Sequence, residues 1–179
     1  MRVFGYGSLI WRPDMPFLHR APGWARGWSR RFYQGSWDHR GTREAPGRVV
    51  TLLPDPAATT WGMVYEIDEA VAREVGARLD YREKGGYERV TLEVVLPGEG
   101  RVVEATTYIA SPENPDYLGP APLEVIAQHI YRSRGPSGAN IEYALELAEA
   151  LRTMGADDPH VFAVERALIA LQANAGEMK

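Results

Sequence analysis

Two hydrophobic periodicities divide this chain, and they scarcely overlap. Up to about residue 110 apolar side chains mostly alternate, as a strand with one buried face requires; after about residue 120 they recur three and four apart, as a helix requires. The clearest alternation is 87–96, where Val90, Leu92, Val94 and Leu96 share one face and Arg89, Thr91 and Glu93 the other. Val103, Ala105, Thr107 and Ile109 repeat it. Shorter stretches at 2–5, 24–33, 48–53 (ended by Pro54) and 60–67 bring the expectation to about six strands.

One helix interrupts them. Asp68 is placed to cap it, Val71, Val75 and Leu79 form its stripe, and Gly85-Gly86 ends it. In the last third, Leu123, Ile126, Ala127 and Ile130 make one stripe. Ile141, Ala144, Leu145, Ala148 and Leu151 make a second, after a start at Ser137. Asp158-Pro159 is a cap followed by a first-turn proline, ahead of Val161, Val164, Leu168 and Leu171, and the tail after about Gln172 is expected to fray. The proline-rich stretch 111–122 reads as a long ordered loop joining strands to helices. Strands with one embedded helix, then a run of helices, predict an α+β fold and not the βαβα rhythm of a doubly wound sheet. The 179 residues suit one domain, 1–179, large enough to bury a core without disulfides or metals.

Composition removes several functions. The chain has no cysteine, which excludes disulfide frameworks, thiolate zinc sites and cysteine nucleophiles, and fits the cytoplasm. A net charge of −4 argues against a general nucleic-acid or membrane-surface binder. The N-terminus has no signal-peptide pattern, since Gly5, Gly7 and Ser8 break its apolar stretch, and no apolar run approaches a membrane span.

Four stretches carry candidate chemistry. In Val3-Phe4-Gly5-Tyr6-Gly7-Ser8-Leu9 a strand stops at a glycine-rich turn. Ile10 breaks a dinucleotide fingerprint, no Gly-Lys-Ser/Thr makes a phosphate loop, and Tyr6 and Ile10 stand where a nucleophile elbow needs glycine. Either the turn is a plain bend, or its backbone N–H groups form a nest for a carboxylate. In residues 79–89, Glu83 lies near the C-terminal end of the predicted helix, whose negative dipole end favours a protonated carboxyl. It is either a general acid/base or part of a charged, solvated helix end. Arg82 and Lys84 would project about 100° to either side of it and need not pair with it.

In residues 29–42, arginines mix with Phe32, Tyr33 and Trp37, which suits ordinary ion pairs and stacks better than a nucleic-acid surface in an acidic chain. Ser8, Asp38 and His39 do not form a credible triad, because adjacent residues rarely orient one another in that way. The four histidines include no helical ligand pair, so no metal is expected. Tyr117 and Tyr143, beside Gly/Pro loops, either close a pocket or pack with satisfied hydroxyls.

Taken together, "VFGYGSLIW", "WSRRFYQGSWDHRG", "PGRVVTLLPDP", "WGMVYEI", "LDYREKGGY", "NPDYLGPAP" and "GPSGANIEYALELA" resemble the ChaC-type γ-glutamylcyclotransferases. They occur in order and cover roughly residues 2–152. The resemblance implies a small mixed, mostly antiparallel β-barrel flanked by helices, and cyclisation of the γ-glutamyl group of glutathione to 5-oxoproline with release of Cys-Gly. It implies Glu83 as catalytic acid/base and Val3, Phe4, Gly5, Tyr6, Gly7, Ser8, Leu9 and Tyr143 as substrate-binding residues. It implies no metal or cofactor, and a small-molecule substrate with neither nucleic acid nor membrane as partner. The substrate amine is then the nucleophile, and Ser8 positions substrate without being acylated. The N–H groups of Tyr6, Gly7, Ser8 and Leu9 would bind the substrate α-carboxylate or the oxyanion. Another γ-glutamyl amine or amino acid as substrate, or non-catalytic binding of a small carboxylate, are the alternatives.

Overall fold

The computed structural model describes residues 1–83, 85–98 and 100–177. Contacts gather into two compact units: Met1–Ser29 with Leu52–Pro115, and Arg30–Thr51 with the chain from Asp116 onward.

Five strands close a barrel: β1 (Arg2–Gly5), β2 (His19–Ser36), β3 (Gly47–Glu66), β4 (Glu88–Leu96) and β5 (Arg101–Ile109), in the order β1-β3-β2-β4-β5. β4 and β5 pair antiparallel from Glu88 opposite Ile109 to Leu96 opposite Arg101, so the two strongest alternating segments of the sequence are partners. β1 runs antiparallel to β3 and parallel to β5, through Val3 opposite Thr106, which makes the barrel mixed. Leu92, Val94, Leu96, Val103, Ala105 and Ile109 are buried, as their alternation requires.

The sequence suggests two strands at 48–53 and 60–67, with Pro54 between. The structure has one strand, β3, running through Pro54 and Pro56. Both prolines are exposed, where a missing N–H donor and a fixed φ are compatible with extended backbone. The Asp55 carboxylate accepts the Ala57 N–H at 3.3 Å.

Helix α1 spans Glu69–Arg82. Asp68 caps it, its Oδ1 accepting the Ala70 N–H at 2.9 Å. Asp68→Ala is expected to lower unfolding stability by about 1 kcal/mol, seen as a lower urea midpoint at unchanged slope.

The second unit carries α2 (Leu123–Arg132), α3 (Asn140–Thr153) and α4 (Pro159–Glu177). Between α2 and α3 a ribbon of two short strands, β6 (Arg134–Gly135) and β7 (Gly138–Ala139), occupies the stretch expected to begin a helix at Ser137. The helix starts instead at Asn140, whose fully buried amide completes the edge of β3: Oδ1 accepts the Arg48 N–H at 2.6 Å and Nδ2 donates to the Arg48 carbonyl at 2.8 Å. The buried face of α3 is Tyr143, Ala144, Leu147, Ala148 and Leu151, so Ile141 and Leu145 stand at its margin and not in its stripe. Asp158 caps α4 through the Val161 N–H at 3.0 Å; the expected fraying after Gln172 is corrected, since the helix continues to Glu177.

Candidate active site

Within the first unit, β1 delivers the glycine-rich turn. Val3 and Phe4 are 0% and 1% exposed and belong to the barrel core, so they anchor the turn. Gly5 must lack a side chain, because a Cβ there would sit 2.6 Å from Leu9 Cβ. The chain then winds into a 3-10 turn at Ser8–Ile10. The Ile10 N–H donates to the Gly7 carbonyl at 2.9 Å and the Arg12 N–H to the Ser8 carbonyl at 2.8 Å. The N–H groups of Gly7, Ser8 and Leu9 have no acceptor among the described residues. From β3 the Tyr65 hydroxyl donates to the Leu9 carbonyl at 2.5 Å, and from the turn itself the Tyr6 hydroxyl donates to the Tyr108 carbonyl on β5 at 2.6 Å. Burial pushes the Tyr65 phenol above its ordinary pKa, against a hydrogen bond and charge from Arg20.

The end of α1 meets this turn. Arg82 Nη2 donates to Ser8 Oγ at 2.7 Å, and Arg82 Nε lies 3.4 Å from Glu83 Oε1. The expectation that Arg82 projects away from Glu83 is therefore corrected. The 100° spacing holds for two residues inside a helix, but Glu83 is the first residue beyond α1, with φ −92° and ψ 18°. Lys84 lies outside the described residues. Glu83 is partly enclosed, its side chain 19% exposed. The backbone that follows is pinned by Asn114, whose Nδ2 donates to the carbonyls of Gly85 at 3.0 Å and Gly86 at 2.8 Å.

A third group faces the same place. Tyr108 on β5 donates its hydroxyl to Asp80 Oδ1 at 2.5 Å, and Asp80 pairs with Arg89 at 3.6 Å. The Tyr108 phenol is held well above the usual tyrosine pKa, by burial first, then by the hydrogen bond to Asp80 and its charge. The Glu83 charge pushes the same way, which places it within electrostatic reach of Tyr108, while Arg89 opposes. Sequence reasoning missed Arg82, Tyr65, Tyr108, Asp80 and Asn114. Only Asp80 and Arg82 had a signal, as polar residues on the last turn before Glu83.

Tyr143 belongs to the second unit and is 6% exposed. Its hydroxyl accepts the Val50 N–H at 3.4 Å, its ring meets Phe32 edge-on at 6.2 Å, and Arg40 lies over it at 5.7 Å. Tyr117 bridges to Gln34. Trp37 stacks under Arg43, just beyond the 29–42 stretch, at 3.9 Å and donates to Asp116 at 2.9 Å. His39 lies 3.1 Å from the Ser137 hydroxyl. No group of three or more metal-ligating side chains occurs among the described residues, and no helix among them is long and apolar enough to cross a membrane.

The family model for ChaC-like proteins matches residues 1–170. The chain belongs to the ChaC-like family. Within that family it is 44% identical, over 94% of its own length and 88% of the relative's, to glutathione-specific γ-glutamylcyclotransferase 1 of Danio rerio. It is 35% identical to the glutathione-specific γ-glutamylcyclotransferase of Saccharomyces cerevisiae, over 85% of each chain. A crystal structure of the glutathione-specific yeast γ-glutamylcyclotransferase superposes with a TM-score of 0.89 at 33% identity, covering 95% of this chain and 96% of that one. The closed five-stranded mixed barrel with four helices is thus the ChaC-like fold, as the resemblance implied.

Proposed function

We propose that this ChaC-like protein converts glutathione to 5-oxoproline and Cys-Gly, with Glu83 as acid/base and the Gly7–Leu9 turn as the donor site. The carrying observation is the identity, along nearly the whole chain, to relatives named for this activity. The geometry around Glu83 supports the assignment of roles.

The substrate's α-amine attacks its own γ-carbonyl carbon, closing a five-membered lactam. Well-oriented intramolecular attacks reach effective molarities of ~10⁵–10⁸ M, so holding the γ-glutamyl arm folded supplies much of the acceleration. The amine must lose a proton to attack, and the cysteinyl nitrogen must gain one to leave. A single carboxylate serves both steps, contributing ~10²–10⁴-fold. The N–H groups of Gly7, Ser8 and Leu9 are the donors for the substrate's carboxylate or for the oxyanion that develops. No enzyme nucleophile takes part, in keeping with a chain that has no cysteine.

Cyclisation consumes no water, which separates it from hydrolysis to glutamate and Cys-Gly. Incubated with glutathione in heavy-oxygen water, the protein is expected to yield 5-oxoproline and Cys-Gly in equal amounts, with no label in either. Free glutamate, or no product from folded protein, would overturn the proposal. The same measurement on other γ-glutamyl amines and amino acids ranks the substrates.

A further inference from the structure

We infer that Arg82 is the positioning residue of this site: one guanidinium holds the Glu83 carboxylate and fixes the Ser8 hydroxyl as a hydrogen-bond donor. The inference rests on the reading of Glu83 as acid/base.

The argument begins with what a guanidinium can do. It has five N–H donors and no acceptor, so in the 2.7 Å contact with Arg82 Nη2 the Ser8 oxygen must accept. The Ser8 O–H is then left to point elsewhere, from the same turn as the N–H groups of Gly7, Ser8 and Leu9. The turn offers donors to a ligand, the arrangement that suits a carboxylate or an oxyanion. Activating Ser8 as a nucleophile would need a base beside it. Arg82 cannot take its proton, so the contact also accounts for a serine that binds and does not attack.

On its other side the guanidinium meets Glu83, with Nε 3.4 Å from Oε1. Glu83 stands just past the C-terminal end of α1, where the negative end of the helix dipole disfavours negative charge. Tyr108 on β5 lies within electrostatic reach of Glu83, and its hydroxyl is bound by Asp80, itself paired with Arg89. Asp80 adds negative charge to this surrounding, Arg89 offsets Asp80, and Arg82 opposes the helix end at Glu83 directly. Arg82 thereby favours the ionised carboxylate, the form that accepts the substrate's proton, while joining it to a turn 74 residues away in sequence.

The test uses the full-length protein as wild type, Arg82→Met, Arg82→Lys, Ser8→Ala and the Ser8→Ala/Arg82→Met double variant, each checked for an unchanged circular dichroism spectrum. Arg82→Met is expected to lower kcat/KM for glutathione by about 10- to 100-fold, the range for losing a charge-assisted contact. The acidic limb of its pH profile should move to higher pH, because a carboxylate that loses a neighbouring cation takes up its proton sooner. Arg82→Lys should return the limb toward wild type, through its charge, while KM stays raised because a single ammonium does not reproduce the fork. The double variant should be little worse in KM than Arg82→Met alone.

An arm independent of turnover follows the Glu83 side-chain carboxyl by carbon-13 NMR, assigned by its absence in Glu83→Gln. An equal titration midpoint in wild type and Arg82→Met overturns the inference, whether or not glutathione is turned over. An unmoved pH profile, or a rate loss that Arg82→Lys leaves wholly in place along with the shifted limb, does so as well. Failure of the wild type to form 5-oxoproline strikes instead at the proposed reaction.

Discussion

The Glu83→Gln enzyme is expected to bind glutathione and turn it over ~10²–10⁴-fold more slowly than wild type, the usual contribution of one acid/base residue. Glutamine has the same shape and keeps an oxygen beside Arg82 Nε. It cannot take the proton that the α-amine must lose, nor return one to the leaving nitrogen. Binding should be kept, because the turn at Gly7–Leu9 and its anchors at Tyr65 and Tyr6 are untouched. The fold should be kept too, since the pair with Arg82 is partly exposed and such pairs contribute about 0–1 kcal/mol. Calorimetry gives the dissociation constant and mass spectrometry the rate of 5-oxoproline release. A kcat within threefold of wild type would remove Glu83 from the mechanism.

The second large effect is on stability at acid pH, and it arises at the start of α4. His160 Nε2 accepts the Phe32 N–H at 3.1 Å, with the ring centroids of Phe32 and Tyr33 each 5.9 Å away. Protonation of Nε2 would set two N–H groups against each other. Burial, then Arg31, lowers the His160 pKa from 6.5 to about 4, with Arg30 adding to the shift and Asp158 opposing it. The sign follows from proton counting. As pH falls below 6.5 the unfolded chain binds a proton that the folded chain refuses until about pH 4. The stabilisation is fully present above that window and is lost on crossing it downward. The loss is about 3 kcal/mol. Urea unfolding between pH 4 and pH 8 would show it. His160→Gln keeps an acceptor for Phe32 and does not titrate, so its stability should fall less steeply over the same window. Parallel curves for the two proteins would refute the assignment.

Which parts of this molecule were legible in advance depended on whether the physics was local. The strands β4 and β5 and the caps Asp68 and Asp158 are written in alternation and in side-chain chemistry a few residues apart, and the structure keeps them. Pro54 misled because proline is compatible with extended backbone wherever its missing donor faces water. The α3 stripe misled because Asn140, a polar residue, is the most buried residue at the helix start. Its amide substitutes for a strand partner to Arg48, a long-range fact with no local periodicity. At the site, Gly5 and Glu83 could be singled out from sequence. Arg82 could not be paired with Ser8, because that contact exists only once β1 and α1 are part of one folded unit. Nothing in the sequence singles out Tyr65 and Tyr108, although the Tyr65 hydroxyl holds the Leu9 carbonyl and the Tyr108 hydroxyl holds Asp80.

The order in which the backbone visits the two compact units also constrains how the protein can be taken apart. The chain passes from one to the other after Ser29, again after Thr51 and again after Pro115, so each unit is assembled from segments separated in the gene. Neither can be expressed as a contiguous fragment, and shortening the gene from either end would strip pieces from a unit without isolating the other. Recombination with a relative would have to exchange an internal block and a flanking one together.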